Sequence, residues 1–195
     1  MFNAPLFNQH LDLSKQYFKR LLTDGDIAID ATCGNGHDTL FIASSILTKD
    51  SGTVYTFDIQ QDALESAKKL CSQNLIIPMD RIHFLNQCHS EFPEVILENS
   101  VKLIVYNLGY LPGGNKAITT EANTTLKSIE RSLELISSKG AISITCYSGH
   151  PAGKIEEDRI LEFVSKLDPK KWCCCHHRFI NREKAPSLLI LQKNN

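Results

Sequence analysis

The chain carries glycines and acidic residues at the spacing of a nucleotide-binding turn. Residues 30–39 read Asp-Ala-Thr-Cys-Gly-Asn-Gly-His-Asp-Thr and directly follow the apolar residues 27–29. This stretch predicts a buried strand, a glycine turn and a helix that begins at once. Glycine permits the turn and lets a ligand approach the backbone, and the unpaired amides at a helix start attract an anion or carboxylate. We therefore expect a nucleotide-like cofactor here.

A second acidic residue belongs to the same predicted site. Asp58 ends the next predicted strand, residues 53–57. A carboxylate at this position can accept hydrogen bonds from both hydroxyls of a ribose. Asp58 could instead cap the helix that is predicted to begin at Gln60.

The turn favours S-adenosylmethionine (SAM) over a dinucleotide. A dinucleotide site requires Gly-x-Gly-x-x-Gly, and residues 34–39 lack the third glycine. SAM enzymes of the Rossmann-like class commonly show Asp-x-Gly-x-Gly-x-Gly, and residues 30–36 match this pattern with Thr32 in place of its first glycine. The turn alone leaves NAD, or a non-catalytic fold, as an alternative.

Composition restricts the function classes. The 195 residues predict one domain spanning residues 1–195. Residues 1–5 do not resemble a signal peptide, and no apolar run is long enough to span a membrane. Seven cysteines, an odd number that lies mostly in apolar runs, indicate reduced thiols and a cytoplasmic location. A net charge of −1 predicts that any nucleic-acid contact uses a local basic patch.

Strand and helix patterns alternate along the chain. Helices are predicted near residues 11–22, 40–47, 64–70, 119–138 and 155–167, and strands at residues 27–31, 53–58, 81–85, 101–106, 140–146, 172–180 and 187–193. Alternation of this kind predicts an α/β fold with a parallel sheet. The short gap between the last two strands predicts an antiparallel hairpin. The pattern matches the class I Rossmann-like SAM methyltransferase fold, a seven-stranded, mostly parallel sheet with a C-terminal antiparallel hairpin, which dinucleotide folds normally lack.

A second motif follows the fourth predicted strand. Ligands of open α/β sheets bind beyond the carboxyl ends of the strands, where the strand order reverses, so Asn107 and Tyr110 should face the same crevice as the glycine turn. Methyltransferases that act on base amines carry Asp/Asn-Pro-Pro-Tyr/Phe here, whose oxygens hold the amine and whose ring stacks on the base. This chain has Leu108 and Gly109 in place of the two prolines.

Residues 32–39 together with residues 107–114 resemble one bacterial family, which was long called rRNA methylases and is now associated with wobble-uridine modification of tRNA. The similarity extends from about residue 25 to residue 191 and includes the hairpin tip, residues 179–186. It implies a SAM-dependent N-methyltransferase that converts 5-aminomethyl-2-thiouridine to 5-methylaminomethyl-2-thiouridine, with the tRNA anticodon loop as partner. The substrate-binding residues that we expect are Leu108, Gly109, Gly113, Gly114, Arg182 and Lys184.

The predicted cofactor site combines the turn with residues after the second and third strands. Methyltransferases contact the adenine of SAM with residues that follow the third strand. The expected cofactor-binding residues are Asp30, Thr32, Gly34, Asn35, Gly36, His37, Asp38, Thr39, Asp58, Gln60, Gln87, Cys88 and His89. Two of them have structural alternatives, because Asp30 could orient the turn and Asp38 could complement the helix dipole.

The expected catalytic residues are Asn107, Tyr110 and His150. Each has an alternative. Asn107 could form hydrogen bonds within the turn and Tyr110 could simply pack against its neighbours. His150 follows the fifth strand and is either a catalytic base or a loop residue. The run from Cys173 to His177 is not expected to bind a metal, because neighbouring strand residues point to opposite faces and no Cys-x₂-Cys pair accompanies it. We expect a strand with inward-facing thiols.

Other functions stay open at this level. They are a methyltransferase that acts on rRNA or on a small molecule, a nicotinamide-dependent oxidoreductase, and a non-catalytic RNA-binding module. The sequence also leaves open whether the chain forms a homodimer.

Overall fold

A computed structural model describes residues 10–76, 79–111, 113–114 and 118–195. The segment assessed for a signal peptide, residues 1–5, lies outside the described residues, as does Pro112 of the second motif. No helix in the described part of the chain is long and apolar enough to cross a membrane.

The core of the molecule is a seven-stranded sheet. Its strands are β1 (Ile27–Asp30), β2 (Thr53–Asp58), β3 (Ile82–Asn86), β4 (Val101–Asn107), β5 (Ile136–Cys146), β6 (Trp172–His177) and β7 (Ser187–Lys193). Their order is β3-β2-β1-β4-β5-β7-β6, and β7 runs antiparallel to both of its neighbours while the other pairs are parallel. The predicted fold class is confirmed, and the strand order reverses between β1 and β4.

Helices cover both faces of the sheet. They are α1 (His10–Leu21), α2 (His37–Ile46), α3 (Gln61–Asn74), α4 (Ala122–Leu135) and α5 (Pro151–Val164), with a short 3₁₀ turn at Met79–Arg81. Side chains alternate between the faces along each strand. Ala28 of β1 therefore packs in one apolar cluster with Phe18 of α1 and Ile42 of α2, whereas Ile29 packs with Ile129 of α4 in another.

Three predicted boundaries shift. The helix predicted at residues 119–138 is shorter, because β5 already begins at Ile136. The first part of β5 pairs irregularly with β4 and contains Lys139 in a left-handed conformation (φ 59°), and regular pairing follows. α5 begins at Pro151 rather than near residue 155, because proline is favoured in the first turn of a helix. β6 ends at His177 instead of residue 180.

The predicted strand at the cysteine cluster is confirmed, but the predicted direction of its thiols is wrong. Cys173, Cys174 and Cys175 are all exposed. Neighbouring side chains of a strand point to opposite faces, so both faces of β6, the edge strand, are open to solvent at these residues. All seven cysteines of the chain are free. Within the described ranges, no group of three or more His, Cys, Asp or Glu residues is arranged to hold a metal ion.

Candidate functional site

A crevice of about 1220 Å³ opens at the carboxyl ends of β1, β2, β4 and β5. This volume exceeds that of a typical small-molecule pocket and suits a cofactor together with part of a substrate. The predicted site residues that line it are Thr32, Gly34, Asn35, His37, Asp38, Asp58, Gln60, Gln87, Cys88, His89, Asn107, Leu108, Gly109, Tyr110, His150 and Lys184. Those that do not line it are Asp30, Gly36, Thr39, Gly113, Gly114 and Arg182.

The glycine turn packs closely on α3. Gly34 and Gly36 both have positive φ, at 50° and 82°. A Cβ atom added to Gly36 would lie only 2.6 Å from the Cβ of Ala67 in α3. Gly36 is the residue before α2, and no side chain caps that helix, so its first backbone amides are left to bind a ligand.

Asp30 lies behind the turn rather than in the crevice. Its side chain is fully buried, and its two carboxylate oxygens accept hydrogen bonds from the Thr32 backbone N–H (3.2 Å) and the Thr39 hydroxyl (2.6 Å). Burial, reinforced by the nearby charge of Asp38, raises the pKa of Asp30 to about 7. These contacts support the alternative in which Asp30 orients the turn.

Asp58 connects the turn to the start of α3. Its Oδ2 atom accepts a hydrogen bond from the Gly34 N–H, and its Oδ1 atom accepts one from the Gln60 N–H, both at 2.9 Å. Each carboxylate oxygen has a second lone pair. Asp58 can therefore brace the turn and still accept the two hydroxyls of a ribose.

Replacing Asp58 with alanine should weaken SAM binding. Hydrogen bonds to charged groups are each worth about 1.5–3 kcal/mol, so losing one raises the dissociation constant roughly ten- to hundredfold, and losing both raises it further. Isothermal titration calorimetry with SAM measures this change. The matched control is Asp62→Ala, which removes an exposed carboxylate from the first turn of α3. Unchanged SAM affinity in Asp58→Ala would remove Asp58 from the cofactor site.

The end of the crevice beyond β3 is lined by neutral groups. His89 is buried with its ring edge-on to Tyr106, and burial lowers the pKa of His89, which keeps the imidazole uncharged near neutral pH. Gln87 donates its side-chain N–H to the Glu91 carbonyl oxygen (2.7 Å), and Cys88 is partly buried beside it. Neutral and apolar surroundings of this kind suit a purine ring.

Asn107, at the end of β4, is linked directly to the cofactor turn. Its backbone N–H donates to the Thr32 hydroxyl, and its side-chain Nδ2 donates to Asp38 Oδ2, both at 2.6 Å. The amide orientation follows from the carboxylate, which only accepts. Among the described residues no donor reaches Asn107 Oδ1, so this oxygen is available to accept a hydrogen bond from a ligand.

Hydrogen bonds fix the backbone after Asn107. The Leu108 N–H donates to the Thr145 carbonyl oxygen (2.9 Å), and the Gly109 N–H donates to the Thr120 hydroxyl (2.8 Å). Gly109 adopts a φ of 122°, which favours glycine. Tyr110 forms an isolated β-bridge with Thr119 and keeps 40% of its surface exposed. These bonds supply the rigidity that two prolines would give.

His150 caps α5. Its Nδ1 atom accepts a hydrogen bond from the Gly153 N–H (3.1 Å), so in the neutral ring the hydrogen sits on Nε2. The His150 ring lies 6.1 Å from the ring of Tyr110, between centroids. In this arrangement Nε2 is a donor, not a base, and a catalytic role for His150 stays a prediction.

The crevice also contains residues that the sequence did not indicate. Leu11 and Lys15 reach it from α1, which is tied to the end of β5 by a 3.2 Å hydrogen bond between His10 and Tyr147. Nothing in the sequence places a helix that precedes the first strand over the site. Tyr147, in contrast, directly follows the fifth strand, and this position could have identified it.

The two cations predicted at the hairpin tip differ in position. Lys184 lines the crevice, whereas Arg182 packs its guanidinium over the ring of Phe179, 4.9 Å from the centroid. Lys15 and Lys184 are therefore the lysines that reach the crevice from the described part of the chain.

Sequence comparison agrees with this geometry. The family described as “Putative rRNA methylase” matches residues 54–193. The chain belongs to this family. A relative from Arabidopsis thaliana, a chloroplastic tRNA (mnm(5)s(2)U34)-methyltransferase, is 38% identical over 181 residues, which cover 90% of this chain and 66% of the relative. The chain thus spans just under two thirds of that relative's length.

Two solved structures share the whole fold. A “putative rRNA-methylase” from Clostridium thermocellum superposes with a TM-score of 0.88 at 35% identity, covering 97% of this chain and 100% of the other. A “putative methyltransferase” from Streptococcus mutans, in complex with SAH, superposes with a TM-score of 0.82 at 28% identity, covering 96% of this chain and 99% of the other. The resemblance found in the sequence is confirmed.

Proposed function

We propose that this chain is a SAM-dependent methyltransferase that methylates the amine of 5-aminomethyl-2-thiouridine at the tRNA wobble position. Family membership, the Arabidopsis tRNA methyltransferase and the SAH-containing relative support the reaction class. The observation that carries the proposal is the hydrogen bond between Asn107 and Asp38, which holds an amide oxygen next to the cofactor turn.

The residues of the crevice fit SAM. When bound, SAM supplies an electrophilic methyl group on a sulfonium. Asp58 offers two acceptors to the ribose, and the amides at the start of α2 suit the carboxylate of the methionine part. Gly34 has no side chain to obstruct the turn, and Asp38 adds negative charge that favours a cationic ligand.

The substrate amine must be neutral to act as a nucleophile. An alkylamine resembles lysine, with a pKa of about 10.4 in water. Desolvation in the crevice, or the positive charge of the sulfonium when SAM is bound, must lower this pKa against the opposing effect of Asp38. Asn107 Oδ1 then accepts an N–H of the neutral amine, and the Leu108 carbonyl oxygen is a second candidate acceptor. Correct orientation of two reactants can be worth about 7–11 kcal/mol, so no strong general base is required.

We propose that the protein binds RNA through a small basic patch near the crevice. With a net charge of −1, phosphate contacts depend on a few cations, for which Lys15, Lys184 and Arg182 are the candidates. Tyr110 lines the crevice and is 40% exposed, which supports a role in stacking on a splayed anticodon base. The single-domain organisation and a cytoplasmic location with reduced thiols also belong to this proposal, and a homodimer stays open.

An anticodon stem-loop that carries 5-aminomethyl-2-thiouridine should be a substrate by itself. Unpaired loop bases can splay out and stack, whereas a helical base cannot reach the crevice. The test uses methyl-labelled SAM and compares this stem-loop with ribosomal RNA fragments, and methylation of the stem-loop should decrease as salt is raised. Labelling of ribosomal fragments alone would support the rRNA alternative, which the family's description suggests.

A further inference from the structure

A buried carboxylate lies behind the loop that follows β4. Glu156 of α5 is only 3% exposed. Its Oε2 atom accepts a hydrogen bond from the Thr120 hydroxyl (2.8 Å), and its Oε1 atom accepts one from the Thr125 hydroxyl (2.6 Å). Burial raises the pKa of Glu156, and the two hydroxyl donors oppose that change. Burying a carboxylate costs free energy that these two donors offset only in part, and the proposed chemistry assigns Glu156 no direct contact with the substrate.

The Thr120 hydroxyl connects this carboxylate to the loop. Thr120 has one hydroxyl hydrogen, which it donates to Glu156, so the same oxygen can only accept from the Gly109 N–H at 2.8 Å. The Thr120 backbone N–H also donates to the Gly109 carbonyl oxygen at 3.0 Å. Both backbone polar groups of Gly109 are therefore held by Thr120, and Glu156 fixes the direction of one of these bonds.

Gly109 needs such support. Its φ of 122° lies where glycine has wide freedom, and Leu108 and Gly109 stand where a pair of prolines would stiffen the backbone. Gly109 separates Leu108 from Tyr110, so a rotation of its backbone would move both the carbonyl that can hold the amine and the ring that can stack on the base.

We infer that Glu156 is a positioning residue for methyl transfer, which acts through Thr120 to hold Gly109 and so aligns the segment from Asn107 to Tyr110 with the substrate. This inference rests on the proposed function, because the segment matters for rate only if it holds the acceptor.

The neighbouring residue Glu157 provides a matched control. It lies on the same helix and is similarly buried at 7% exposure. Its carboxylate instead accepts a hydrogen bond from the Ser187 hydroxyl of β7 and lies 3.7 Å from His176 Nε2 of β6. A substitution there perturbs α5 and the closing hairpin but does not touch the loop.

The test measures steady-state kinetics with tRNA that carries 5-aminomethyl-2-thiouridine. Glu156→Gln and Thr120→Val should each lower kcat by about tenfold or more, since small misplacements of a reacting group are costly. SAM affinity should stay close to that of the unmodified chain. Thr120→Val should lower the melting temperature, because it leaves the buried Glu156 carboxylate with one donor fewer, whereas Glu156→Gln, which keeps an acceptor oxygen, should lower it less. Thr120→Ser, which keeps the hydroxyl, and Glu157→Gln should retain the original kcat. Hydrogen–deuterium exchange should show faster exchange of the Gly109 amide in Glu156→Gln than in Glu157→Gln.

The possible outcomes distinguish a failure of this inference from a failure of the proposed function. Unchanged kcat and unchanged exchange at Gly109 in Glu156→Gln would overturn it, and so would an equal loss of kcat in Glu157→Gln. If Glu156→Gln does not fold, the comparison of Thr120→Val with Thr120→Ser decides, and equal kcat values in these two variants would overturn the inference. Inactivity of the unmodified chain on this tRNA would refute the proposed function, while the exchange measurement would still test the positioning of Gly109.

Discussion

Replacing Asn107 with alanine should lower the rate of methyl transfer by about a hundredfold, because a lost acceptor loosens the near-attack geometry of the amine. SAM affinity should change little, because the backbone N–H that ties β4 to Thr32 at 2.6 Å is kept. The melting temperature should fall modestly, because alanine removes the 2.6 Å hydrogen bond from Asn107 Nδ2 to the buried Asp38 carboxylate. Single-turnover measurements with the purified variant and hypomodified tRNA give the rate directly.

Asn123→Ala is a suitable control for this variant, because it removes an exposed amide of α4 that does not line the crevice. It should methylate tRNA at the original rate. If Asn107→Ala also turned over at nearly the original rate, Asn107 would only brace the turn, and the amine would be held by another group.

Replacing Gly36 with alanine should destabilise the fold and abolish tight SAM binding. The new Cβ would meet Ala67 at 2.6 Å, and a φ of 82° is strained for alanine. Overpacking costs about 1–3 kcal/mol and backbone strain about 1–3 kcal/mol, a large part of the roughly 5–15 kcal/mol that keeps a domain folded. Urea unfolding measures the loss of stability, and calorimetry measures SAM binding.

Gly113→Ala separates the two causes of this loss. Gly113 has nearly the same φ, 81°, but a Cβ added there would meet nothing within 4 Å. Its substitution should therefore cost only the strain. Equal destabilisation by the two variants would mean that the close contact between the turn and α3 adds nothing to the loss of unfolding free energy in Gly36→Ala.

The sequence was sufficient to predict the order of elements and the place of the site. Parallel strands end at one edge of the sheet, so the turn after β1, Asp58 at the end of β2 and Asn107 at the end of β4 had to meet there. Apolar periodicity identified all seven strands. It could not show that β6 is the edge strand, and for that reason the exposure of the thiols from Cys173 to Cys175 was not predicted.

Contacts between residues far apart in the sequence were not predictable. Asn107 and Asp38 are 69 positions apart, and each would be read alone as a turn or helix-cap residue. The contact between Glu156 and Thr120 was also not predictable, because a glutamate in an amphipathic helix normally faces solvent. Their roles depend on how the helices pack on the sheet, which local patterns do not specify.

The measurement that tests the proposed function most directly is mass spectrometry of tRNA nucleosides from a strain in which this gene is deleted. We expect 5-methylaminomethyl-2-thiouridine to disappear and 5-aminomethyl-2-thiouridine to accumulate, and expression of the intact chain, but not of Asn107→Ala, should restore the methylated nucleoside. An unchanged level of the methylated nucleoside in the deletion strain would contradict the proposal.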